Sequence, residues 1–126
     1  MKTLIFCCAF LSPFVSAQTN LTEISDALRA GDATTLSLYM SKQVEINIGR
    51  VDDVYEREQA AKVLASFFSK YRPNSFRNLH HGASNSRNMK YYIGILKTSS
   101  GSFRSTILLE NKSGELYIKQ FSLERE

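Results

Sequence analysis

Residues 89–123 read MKYYIGILKTSSGSFRSTILLENKSGELYIKQFSL. They contain three strand-like runs, Met89–Thr98, Ser102–Glu110 and Gly114–Leu123, separated by the turn-rich pieces SSG and NKSG. Runs rich in β-branched and aromatic residues, bounded by Gly, Ser and Asn, are strand signals. Connections this short make successive strands antiparallel neighbours. A fourth run of the same kind, Ser75–Ser84, comes before them and is joined through NSRN. The C-terminal half therefore reads as a four-stranded antiparallel meander.

The residues upstream read differently. REQAAKVLASFFSKY, residues 57–71, places Ala60, Val63, Leu64, Phe67 and Phe68 on one helical stripe, and Pro73 ends it. Adjacent helical residues lie about 100° apart, so one of Phe67 and Phe68 is expected near the rim of that stripe. QVEINIG, residues 43–49, alternates, with Val44, Ile46 and Ile48 on one face of a half-buried strand. Residues 50–56 read as a loop or a second short strand. NLTEISDALRAG, residues 20–31, is an amphipathic helix with Asn20 or Thr22 as its cap and Gly31 as its stop. Asp32 then caps a second short helix, ATTLSLYM. The order is helix, helix, strand, helix, meander, which is an α+β domain with its helices on one face of the sheet.

The first seventeen residues have another purpose. Lys2 supplies a positive charge, Thr3–Val15 an apolar core, and Val15-Ser16-Ala17 a cleavage-like triplet. That order predicts a secretory signal peptide over residues 1–17, cut after Ala17, and a single domain over 18–126. The expected destination is the periplasm or the extracellular space. The apolar run Leu4–Val15 is too short to cross a bilayer, which takes about 20 residues. Cys7 and Cys8 are the two cysteines of the chain and leave with the signal, so no disulfide is expected in the mature protein. Of the 126 residues, 43% are hydrophobic, enough for an ordinary core and too many for a disordered chain.

Several stretches together resemble a known family. Tyr55–Glu56–Arg57–Glu58–Gln59–Ala60 leads to Phe67-Phe68, then to Pro73 and Phe76. Lys90-Tyr91-Tyr92-Ile93-Gly94, Phe103-Arg104 and Tyr117-Ile118 follow in order. In order and spacing these are similar to the secreted bacterial family called domain of unknown function 4783, in the nuclear transport factor two-like superfamily. The resemblance implies a cone of strongly bent antiparallel sheet around a long helix, with a pocket at its open end. It brings no activity, and so no catalytic residue.

Enzymes of that superfamily need an Asp or His base in the pocket and a place to hold developing charge. No Asp or Glu occurs from Gln59 through Leu109. His80-His81 is the only histidine pair, and adjacent strand residues face opposite ways, so no metal site is expected there. Gly82 beside them reads as a bulge or bend. Residues 59–109 hold eight basic side chains, whereas residues 18–58 hold eight acidic and four basic ones. Intramolecular pairing and solvated strand faces account for that contrast, and export argues against a nucleic-acid partner. The sequons at Asn20 and Asn111 are read as chance turn and cap residues.

The expected function is that of an exported, non-enzymatic module. It binds a small apolar or anionic ligand in the cone, or uses its sheet to dimerise or to dock a partner, dimerisation there being what the superfamily resemblance implies. Apolar residues on both strand parities support a second covered face: Tyr91, Ile93, Ile95, Phe103, Ile107 and Leu109 on one, Tyr92, Leu96 and Leu108 on the other. The alternatives are an isomerase- or dehydratase-like enzyme using a pocket histidine with a tyrosine, and a polyanion-binding protein. The candidate ligand-binding residues are Arg104, Tyr92, His81 and Tyr55, with no cofactor expected. Arg104 stands out as a charge on a central strand, where an unpaired charge is costly to bury. It either contacts an acid or anionic ligand or lays its stem over apolar surface with its head in water.

Overall fold

A computed structural model of the chain describes residues 17–83 and 88–126. The expected signal peptide and most of the NSRN turn lie outside the described residues. In chain order the elements are α1 (Ala17–Ala30), α2 (Ala33–Leu38), β1 (Met40–Ile48), β2 (Val51–Glu56), α3 (Arg57–Lys70), β3 (Pro73–Ala83), β4 (Met89–Thr98), β5 (Gly101–Lys112) and β6 (Glu115–Arg125). Among the described residues, no helix is long and apolar enough to cross a membrane.

Helix α1 starts at Ala17, so Asn20 and Thr22 lie inside it rather than at its cap. Its apolar spacing still does the packing, with Ile24 and Leu28 fully buried. Gly31 ends it at φ 65°. The Gly31 N–H donates to the Leu28 carbonyl at 3.1 Å and the Asp32 N–H to the Ala27 carbonyl at 2.8 Å. That pair of bonds satisfies carbonyls the helix end would otherwise leave open. Asp32 also caps α2, accepting from the Thr35 N–H at 3.0 Å and the Thr35 hydroxyl at 2.6 Å. The Thr35 hydroxyl, foremost, holds the Asp32 carboxyl below its ordinary value.

The six strands form one curved sheet in the order β2-β1-β6-β5-β4-β3. The meander is as expected: β3–β4, β4–β5 and β5–β6 are all antiparallel. Residues 51–56 form a strand antiparallel to β1, and β1 lies parallel to β6. Helix α3 packs on β1 and β2, α1 on β3 and β6, and α2 on α3. Register shifts bend the sheet: one falls between Asn78 and His80 on β3, another on β6 opposite Leu108 and Leu109. An extra residue in one strand kinks it and increases its twist. The bend expected at Gly82 thus belongs to Leu79, while Gly82 pairs in register with Tyr91.

Register also corrects the reading of the sheet faces. Tyr92 lies opposite Ile107 and Leu96 opposite Phe103, so even numbers on β4 share a face with odd numbers on β5. The core face carries Tyr92, Leu96, Phe103, Ile107 and Leu109, all buried. Tyr91, Ile93 and Ile95 lie on the outer face with Leu108, Thr106 and Arg104. Equal parity on two strands means one face only when the paired numbers sum to an even value, and here the sum is odd.

Both Phe67 and Phe68 are buried, at 7% and 5% exposure, so neither sits at an open rim. Helix α3 is covered on two sides. Phe67 meets Phe103 on the sheet, and the Cβ of Phe68 lies beside Gly31 at the α1–α2 junction.

Candidate functional site

Of the residues singled out from the sequence, Tyr92 and His81 are brought together as register partners on β4 and β3, while Tyr55 and Arg104 lie apart from them. Tyr92 is buried on the core face of β4, its ring 5.7 Å from that of Phe76 and 6.5 Å from that of His81. His81 is exposed at the end of β3, with its Nδ1 3.4 Å from the Asn78 amide nitrogen. His80 pairs with Ile93 and faces outward. The Tyr92 hydroxyl makes no hydrogen bond to either imidazole among the described residues. Tyr55, half-buried on β2 beside Val44, belongs to the far side of the sheet. Arg104 is exposed on the outer face, opposite Ile95 and Glu124, and makes no ion pair among the described residues. Its surroundings match an arginine with its head in water.

A cavity of about 470 Å³ opens where the C-terminal end of α3 meets the ends of the inner strands β1, β5 and β6. Its walls are Phe67 and Tyr71 from the end of α3, Phe103 from β5, Leu123 and Arg125 from β6, and Ile48 from β1. Phe67 and Tyr71 are one helical turn apart, so their rings lie on one side of α3. Ring centroids are 4.9 Å apart for Phe67–Tyr71 and 5.0 Å for both Phe67–Phe103 and Tyr71–Phe103. The Arg125 guanidinium lies 4.9 Å from the Phe103 ring and 5.4 Å from the Tyr71 ring. Its Nη1 donates to the Ser100 carbonyl at 2.9 Å. Gly101, at φ 124°, lets the guanidinium pass: an added Cβ would lie 2.5 Å from Nη1.

The cavity is thus an aromatic wall with one fixed cation, and Glu124 at its lip. Its volume falls in the range of small-molecule sites, about 300–1,000 Å³. Cation–π contact and a backbone hydrogen bond hold the Arg125 fork in place, with no carboxylate partner among the described residues. The remaining N–H groups suit an anionic head, and the rings suit an apolar body. The sequence held one signal for this site, the i, i+4 pair Phe67 and Tyr71. Phe103 and Arg125 lie opposite one another in register, which only the fold reveals.

The DUF4783 profile, "Domain of unknown function (DUF4783)", matches residues 21–124. The chain belongs to the DUF4783 family. A DUF4783 protein from Bacteroides ovatus is similar in structure, with a TM-score of 0.77 at 23% identity over 82% of this chain and 93% of that one. A DUF4783 protein from Bacteroides uniformis has a TM-score of 0.77 at 24% identity over 83% of this chain and 95% of that one. An NTF2-like protein from Cytophaga hutchinsonii matches at a TM-score of 0.63 and 10% identity, over 86% and 94% of the two chains. No curated protein matches. The DUF4783 chain therefore has an α+β, nuclear transport factor two-like fold with a curved six-stranded sheet.

Proposed function

We propose that this DUF4783 protein is an exported, non-enzymatic binding module that holds a small apolar molecule with an acidic end in the cavity at the end of α3. The observation that carries this reading is the triangle of Phe67, Tyr71 and Phe103 with the guanidinium of Arg125 fixed over two of its rings, Tyr71 and Phe103. The enzymatic alternative draws less support from the geometry: His81 is exposed and, among the described residues, has no tyrosine hydroxyl bonded to it. The polyanion alternative needs a continuous basic stripe. Among the described residues the cations of 59–109 divide instead between α3, with Lys62 and Lys70, and the sheet, where Arg77, Lys97 and Arg104 share the outer face. Export rests on the signal-like residues 1–17.

The apolar sulfonate dye 8-anilinonaphthalene-1-sulfonate tests this reading, since it combines aromatic rings with an anionic group. The wild-type protein is expected to bind it with enhanced fluorescence. Arg125→Ala is expected to weaken binding about tenfold, the usual effect of losing a hydrogen bond to a charged group. Equal binding by both proteins would overturn the reading.

One further observation favours a second reading, a partner docked on the sheet. The outer face presents Tyr91 at 41% exposure beside Ile93 and Leu108, with Leu79 at 46% on the bulge of β3. The occupant we propose is a second copy, because two-fold pairing covers the same patch on both chains.

A further inference from the structure

At the other end of α3 lies a cavity of about 520 Å³ with a different lining. Ser41 and Lys42 come from the start of β1, Arg57 is the first residue of α3, and Lys112 ends β5. Glu115 and Tyr117 open β6. Three cations therefore face one carboxylate. That carboxylate is already engaged, since Glu115 accepts from the Tyr117 hydroxyl at 2.7 Å. The Lys112 ammonium lies 3.6 Å from Glu110, while Lys42 and Arg57 make no ion pair among the described residues. Like charges brought together in a concave site raise the local potential and draw counter-ions in.

Two further features point the same way. Ser41 is 7% exposed, and its hydroxyl has no hydrogen-bond partner. A buried hydroxyl without a partner is costly, and its residue lines the cavity, although the hydroxyl oxygen itself is closed to solvent. Helix α3 also begins here without a side-chain cap. Glu56 occupies the cap position but accepts instead from the Gln43 amide at 3.1 Å. The first turn adds the positive end of the helix dipole to the three cations, partly offset by the Glu58 carboxylate in that turn.

We infer that this cavity binds the phosphate group of an organic phosphate monoester. Arg57 presents a planar fork that matches two phosphate oxygens, and Lys42 and Lys112 act as point charges. Rotation of the Ser41 side chain would bring its hydroxyl, closed to solvent in the free protein, to an oxygen of the anion. Glu115, turned to Tyr117, faces the uncharged part of the ligand. A bare phosphate ion fills only a small part of about 520 Å³, so the room left accommodates the molecule that carries it. This inference is independent of the aromatic cavity, which lies at the opposite end of α3.

The test is calorimetric titration of the full protein with glucose 6-phosphate and, separately, with inorganic phosphate. Glucose 6-phosphate is expected to bind more tightly than inorganic phosphate, and both to weaken as salt is added. Arg57→Gln and Lys42→Ala should each weaken binding about tenfold. Ser41→Ala should weaken it several-fold while leaving the melting temperature unchanged or raised, because it deletes an unpaired polar group. Arg125→Ala should bind both probes like the wild type. Absence of heat with either probe, or wild-type affinity in Arg57→Gln and Lys42→Ala, would overturn the site. Equal affinity for the two probes would overturn the organic carrier.

Discussion

Phe67→Ala is expected to lower the unfolding free energy by about 3–5 kcal/mol, the usual cost of deleting a buried phenyl ring. The ring is 7% exposed and touches three others: Phe68 at 5.8 Å, Tyr71 at 4.9 Å and Phe103 at 5.0 Å. Such ring pairs contribute about 0.5–1.5 kcal/mol each beyond their buried area, so the loss extends past the void. Small domains are stable by only about 5–15 kcal/mol, so the urea midpoint should fall sharply. His81→Ala, at an exposed position, should stay within about 0.5 kcal/mol of wild type. A Phe67→Ala midpoint equal to that of wild type would contradict the packing of α3 against β5.

Gly94→Ala should have the next largest effect. Gly94 lies opposite Asn78 on β3 and Ser105 on β5, and the buried Phe76 ring covers it. A Cβ there would sit 2.7 Å from the Arg77 carbonyl oxygen and 2.7 Å from Phe76 Cε1. The carbonyl belongs to the neighbouring strand, so relief requires shifting the β3–β4 ladder. Overpacking of this kind costs about 1–3 kcal/mol. Gly82→Ala is the control: its added Cβ would meet only the His80 ring, at 3.4 Å and 3.8 Å. Thermal melts that placed Gly94→Ala level with Gly82→Ala would contradict the close approach of Phe76 to the strand.

What could be read beforehand follows from which signals are local. The alternation of Val44, Ile46 and Ile48 and the stripe on residues 57–71 have short periods, and both became elements close to the expected limits. The parallel pairing of β1 with β6 joins residues 75 to 78 positions apart, and no local period encodes it. On β6, Leu116 and Ile118 are buried, and so are Phe121 and Leu123. One extra residue at the bulge carries the second pair back to the core face, which strict alternation would have turned outward. The same dependence on register separates Tyr91, Ile93 and Ile95 from Phe103, Ile107 and Leu109, with which they share parity.

The candidate sites were less legible for the same reason. Arg104 drew notice as a charge within a strand, yet its strand position turns it outward beside Ile95. Arg125 looked like an ordinary residue near the chain end. Its importance comes from Tyr71, 54 positions earlier, and from Phe103 across the ladder. Ser41 and Arg57 gave no signal, because what marks them is an unpaired hydroxyl and the uncapped start of a helix.

Native mass spectrometry of the full protein from its own cells tests most directly whether this chain works by holding a small molecule. The expected spectrum shows a chain beginning at Gln18 with a small-molecule adduct, and the adduct is lost in Arg125→Ala. The number of chains in the same ion reports whether the outer sheet face pairs with a second copy. A bare chain, or an adduct that Arg125→Ala retains in full, would contradict ligand binding at the aromatic cavity.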